Sequence, residues 1–138
     1  VFALDESLKM MKDEGLNKIF ERHEKHKLAI SKAAKALNLK LFADEKHLSP
    51  SVTAIEIDDI DAEQFRKSIK NKYDILLAGG QDHLKGKIFR IGHLGYVNDR
   101  NIISVIAAIS NTLLDQNKIS PQQAGEALRV ASKHLKIN

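Results

Sequence analysis

The chain has 138 residues, 43% of them hydrophobic, 29% charged and 5% aromatic, the make-up of one globular domain around a single core. It has no cysteine and no tryptophan, which excludes disulfide scaffolds, thiolate metal centres, iron–sulfur clusters and cysteine nucleophiles, and fits a reducing, cytoplasmic setting. The 22 Lys and Arg exceed the 18 Asp and Glu by +4, but the signs alternate through residues 9–27 and 58–74, and the five Phe and two Tyr are dispersed. That is the pattern of solvated helix faces, and a nucleic-acid partner is not expected.

Phe2, Leu4, Leu8 and Met11 recur at helical spacing and predict a first helix over residues 2–14, interrupted by Gly15. Because it opens at Val1, without Met and inside this helical pattern, the chain reads as a piece of a longer polypeptide. No apolar run approaches the roughly 18 residues a membrane span needs, and the start lacks a signal-peptide pattern, so no membrane partner is expected. Leu16, Ile19, Phe20, His23, Lys27, Ile30, Ala34 and Leu37 set out the stripe of a longer amphipathic helix that stops at Asn38. Residues 39–43 read as a short strand and residues 44–50 as a polar loop, in which Pro50 pushes Ser49 toward extended geometry. The β-branched residues 52–57 form the clearest strand.

Asp61, with Gln64 three residues on, begins a capped helix over residues 62–72 that buries Phe65 and Ile69. Residues 74–78 read as an apolar strand ending in Gly79-Gly80, where missing side chains permit positive φ or a close approach of backbone to a ligand. In the next strand, residues 87–92, alternation puts Ile88 and Arg90 on one face and Phe89 and Ile91 on the other. Asn98 caps a helix with Asp99 in its first turn and Ile102, Ile106, Ile109 and Leu113 as its buried stripe. Ser120, Pro121 and Gln123 supply the cap, first-turn proline and capping-box partner of a last helix ending near Leu135. Without a βαβ alternation, this order predicts an α+β two-layer sandwich whose mainly antiparallel sheet of three or four strands is covered by helices.

Few residues carry visible chemistry. The stretch AGGQDHLKGK has the glycines and the Gly-Lys pair of a phosphate loop, but five residues rather than four separate Gly80 from Gly86, Ile88 stands at the Ser/Thr position and a strand follows. His23 and His26 are three apart on one helix with no third ligand in view, so His23 reads as a hydrogen-bonded core-edge histidine and no metal is expected. His83 and His93 follow the Gly-Gly and fit either a functional role or a turn-stabilising hydrogen bond. There is no G-x-S-x-G elbow and no isolated carboxylate pair. Arg90 stands out, a permanent cation in an apolar strand followed by Gly92 and Gly95. It fits a solvent-reaching or acid-paired arginine as well as the bidentate recognition of a carboxylate.

The run YDILLAGGQDHLKGKIFRIGHLGYV (residues 73–97), preceded by LSPSVTAIEI (48–57) and EGLNKIFERHEKH (14–26), resembles the C-terminal small domain of class V pyridoxal-phosphate-dependent aminotransferases. The nearest group is the alanine-, serine- or aspartate-glyoxylate type, which includes proteins once named a soluble hydrogenase small subunit. The similarity covers Phe2 to about Leu114, and its most specific part is the Gly-Gly-x-x-x-x-x-Gly-Lys-x-x-Arg-Ile-Gly pattern.

The resemblance implies that residues 1–138 are the small domain of a fold-type I aminotransferase, with 118–138 an additional C-terminal helix. The Schiff-base lysine, the aspartate under the pyridine nitrogen and the phosphate-binding groups belong to a large domain that this chain lacks. Hence this chain is expected to hold no pyridoxal 5'-phosphate, to contribute no catalytic or cofactor-binding residue, and to be inactive alone. Arg90 matches the family arginine that grips the substrate α-carboxylate, and Gly79 and Gly80 match the loop beside the active-site mouth. The implied partners are an amino acid and a 2-oxo acid such as glyoxylate, within a homodimeric parent enzyme. The alternative is a free-standing α+β module that uses residues 79–95 to hold a small carboxylate or a protein partner without catalysis.

Overall fold

Asp61 accepts hydrogen bonds from the backbone of Glu63 at 2.7 Å and Gln64 at 3.0 Å, and so starts the helix Ala62–Tyr73 where its sequence requires. Reciprocal capping boxes join Asn98 to Asn101 and Ser120 to Gln123 and open two further helices, the second with Pro121 in its first turn. In the computed structural model, which describes residues 1–136, the helices are α1 (Phe2–Glu14), α2 (Leu16–Ala36), α3 (Ala62–Tyr73), α4 (Asp99–Asp115) and α5 (Pro121–Leu135). The strands are β1 (Lys40–Leu41), β2 (Val52–Glu56), β3 (Ala78–Gly79) and β4 (Ile88–Gly92). They form one sheet in the order β1-β2-β4-β3 with every neighbour antiparallel, so the expected α+β architecture is observed.

Strand alternation divides the sheet. Thr53 and Ile55 of β2, with Phe89 and Ile91 of β4, are buried toward the helices. The opposite row of Val52, Ala54, Glu56 and Arg90 is half-buried. Phe65 of α3 and Phe89 meet in the core with ring centroids 5.3 Å apart and planes tilted by 39°, a favourable aromatic arrangement. Alanines let α5 approach α2 closely: Ala29 and Ala33 on α2 and Ala127 and Ala131 on α5 are almost wholly buried where these helices pack. The last helix therefore shares the core.

Three expectations need correction. The strand expected at 74–78 is confined to Ala78–Gly79, because Asp74 adopts left-handed φ of 56° as the C-cap of α3 and its N–H bonds to the Lys70 carbonyl. The strand expected at 39–43 is ladder-paired only at Lys40–Leu41. The stripe assigned to the start of the second helix is not buried either: Leu16 and Phe20 are exposed, and burial begins at His26 and continues through Ala29, Ile30, Ala33 and Ala34. Amphipathic spacing marks an apolar face but does not say whether a partner covers it, and α1 likewise buries no residue. Among the described residues no helix is long and apolar enough to cross a membrane.

Candidate functional site

Arg90 stands in the ladder opposite Ala54 on β2 and Ala78 on β3, so small side chains flank it on both sides. Its Nε donates to the Gly79 carbonyl at 2.9 Å. Glu56, two positions along the same row, is engaged by Lys40 at 2.6 Å. Among the described residues no carboxylate pairs with Arg90, and its two terminal nitrogens have no protein acceptor. A half-buried guanidinium in this state offers a planar fork suited to a carboxylate.

Each of the two glycines before this strand, Gly79 and Gly80, has a steric reason to lack a side chain. A Cβ on Gly79 would lie 2.5 Å from Glu63 Oε1 and 2.6 Å from Arg66 Nη1, so its bare Cα admits that ion pair from α3. A Cβ on Gly80 would lie 2.1 Å from the Leu84 carbonyl oxygen, inside the turn at Asp82–Leu84 that leads back into β4. Gly79 reaches Arg90 through its main chain, and Gly80 donates to the Ile88 carbonyl at 3.2 Å. His83 is exposed on that turn.

Three further histidines are held within the fold. His93, fully buried just past β4, has Nε2 3.0 Å from Thr53 Oγ1, and burial pushes its pKa down to about 4. His26 is buried with Nε2 2.9 Å from Asp99 Oδ1; burial lowers its pKa, against the pull of that carboxylate. Burial opposes ionisation of Asp99, yet hydrogen bonds from Lys25 and His26 prevail and hold its carboxyl below the ordinary range. His23 is only half-buried, with Nδ1 2.7 Å from the Ile19 carbonyl. It does not converge with His26, and among the described residues no group of side chains could hold a metal ion.

Arg22 joins Glu14 at the end of α1 to the carbonyls of Gly95 and Val97, the latter two each at 3.0 Å. Beside it, α1, the start of α2 and the loop after β4 enclose an apolar cleft of about 910 Å³ lined by Met10, Met11, Phe20, Pro50, Leu94 and Tyr96. Arg90 is not part of it. Arg22, the Glu63–Arg66 pair and the His26–Asp99 contact are absent from the sequence reading; only Glu63–Arg66, three apart on a helix, had a local signal.

Pyridoxal phosphate is held by a lysine at its aldehyde carbon, an acid at its ring nitrogen and donors for its phosphate, all converging on one sheltered site. Among the described residues no lysine is buried, and Lys25, Lys27, Lys35, Lys40, Lys70 and Lys72 are taken up in ion pairs. The residues present do not by themselves form a site for that cofactor.

No protein-family model matches the chain. The soluble hydrogenase 42 kDa subunit of Anabaena cylindrica is 52% identical over 113 residues, 82% of this chain and 30% of that protein. The (S)-ureidoglycine–glyoxylate transaminase of Bacillus subtilis is 37% identical over 133 residues, 95% of this chain and 32% of that protein. The crystal structure of the ureidoglycine–glyoxylate aminotransferase from Bacillus subtilis superposes with a TM-score of 0.89 at 36% identity, over 98% of this chain and 35% of that one. The chain thus spans about a third of the length of the relatives it matches. In sequence and in fold it is a homologue of the class V aminotransferases, corresponding to their small domain.

Proposed function

We propose that residues 1–138 act as the small domain of an aminotransferase, with α5 (Pro121–Leu135) as the additional C-terminal helix expected within 118–138, of which 137–138 lie outside the described residues, and that the parent moves an amino group between an amino acid and a 2-oxo acid such as glyoxylate. Pyridoxal phosphate is the electron sink of such chemistry and sits with the rest of the parent, a homodimer in this reading. This chain's own part is to bind and orient. Arg90 takes the substrate's α-carboxylate on its free nitrogens, the strand beneath holds it still, and Gly79 and Gly80 bring backbone close on one side. Alone, the chain transfers nothing.

The observation that supports this reading most is that Arg90 is anchored through one nitrogen only, flanked by alanines, with the acid of its own row occupied elsewhere. A charge-assisted pair of this kind is worth about 1.5–3 kcal/mol, so Arg90→Ala in the full-length protein should lower kcat/KM toward amino acids roughly tenfold to a few hundredfold. Cofactor absorbance should be retained. Arg90→Lys should recover little, because an ammonium lacks the fork. An unchanged kcat/KM in Arg90→Ala removes this residue from the site.

A further inference from the structure

On the reading that Arg90 holds the carboxylate, we propose that Arg66 is its positioning residue, acting through the backbone of residues 77–79. The Gly79 carbonyl that receives Arg90 Nε belongs to β3, an edge strand of only two ladder residues. So short an edge supplies few hydrogen bonds of its own to hold a carbonyl in place. Arg66 supplies what is missing from the α3 side. Its Nε donates to the Leu77 carbonyl at 2.7 Å, immediately before the strand, and its Nη1 pairs with Glu63 Oε2 at 2.7 Å. The same ion pair lies against the bare Cα of Gly79, in the space a side chain would fill. From the α3 side the segment is held at the Leu77 carbonyl and packed at the Gly79 α-carbon, from the β4 side by the two-residue ladder and the Gly80 N–H to Ile88 carbonyl bond, and the Gly79 carbonyl receives Arg90.

The mode of substrate binding follows. With Nε committed to the main chain, Arg90 keeps only its two terminal nitrogens for a ligand, so the carboxylate is received end-on by Nη1 and Nη2 and not side-on through Nε. Loosening residues 77–79 frees Nε and lets the fork swing, which weakens carboxylate recognition without touching the substrate's amino end.

The test uses the full-length, cofactor-loaded protein, with propionate as an unreactive carboxylate probe and propylamine as its counterpart lacking the carboxylate. In Arg66→Leu the dissociation constant of propionate should rise about tenfold and the KM for the amino acid by a similar factor, with kcat within about twofold and propylamine binding unchanged. Arg66→Lys keeps a cation beside Glu63 but loses the paired donors, so it should fall between wild type and Arg66→Leu; if the leucine variant does not fold, the lysine variant carries the test through the ratio of propionate to propylamine binding. Propionate binding as in wild type overturns the positioning role, as does an equal loss for both probes. Arg90→Ala separates the two ideas: if it leaves propionate binding unchanged, the carboxylate anchor itself is wrong, whereas a loss there with none at Arg66 rejects only the positioning step.

Discussion

His93 shows how strongly a single side chain can depend on where the chain puts it. In the unfolded chain its imidazole takes up a proton near pH 6.5, while in the fold it is sealed beside Thr53 and does so only near pH 4. A depressed folded-state pKa means that the stabilisation is fully present above pH 6.5 and is lost as pH falls toward 4, by up to about 3 kcal/mol. His26 shifts in the same direction and adds to the loss. Urea unfolding of the 138-residue chain at pH 7 and at pH 4.5 should reveal this decline, and His93→Gln, which can keep a hydrogen bond to Thr53, should flatten it. Parallel declines in the two proteins would assign the acid sensitivity elsewhere. Arg90 presents the complementary case, since its face was legible from alternation with Phe89 and Ile91, yet the anchor at Gly79 and the diversion of Glu56 to Lys40 arise from strands brought together across the sheet.

At the level of elements, caps were the most legible signals. Asp61, Asn98 and Ser120 each begin a helix where they stand, because a side-chain acceptor satisfying the first free N–H groups is a contact between near neighbours in sequence. Strand β3 was the least legible: apolar residues 75–77 look like strand, but ladder pairing needs a partner, and β4 provides one only opposite Ala78 and Gly79. Helix α5 carries Gly125 on its exposed side, with nothing within 4 Å of where a Cβ would stand. Glycine there pays helix entropy for no packing return, so Gly125→Ala should raise the unfolding free energy by about 0.5–1 kcal/mol, visible as a higher urea midpoint at unchanged slope. A lower midpoint would show that α5 is not held as described.

On the scale of the whole molecule, apolar side chains are distributed unevenly. Phe2, Leu4, Leu8, Met11, Leu16 and Phe20 are exposed along α1 and the start of α2, and Leu94 and Tyr96 extend that surface across the cleft. Contiguous apolar surface of this kind is characteristic of a face that meets another body, and in the proposed function that body is the cofactor-bearing remainder of the parent. Left uncovered, the same face should drive the 138-residue chain to self-associate as concentration rises, seen as a growing weight-average mass in sedimentation equilibrium. Phe20→Glu should suppress that growth, and a monomer across the concentration range would argue against such a face.

The sequence by itself determined the helices and their caps, the α+β class and the facing of Arg90, because these depend on contacts or patterns within a few residues of one another, and the family likeness, because residue order along the chain carries it without any contact. Only the tertiary structure decided which apolar faces are covered, which histidines are sealed, and that Arg90 is held at one nitrogen and free at two, with Arg66 behind the backbone that holds it. Those outcomes require groups far apart in the chain to meet, and desolvation, pairing and close approach have no value until they do.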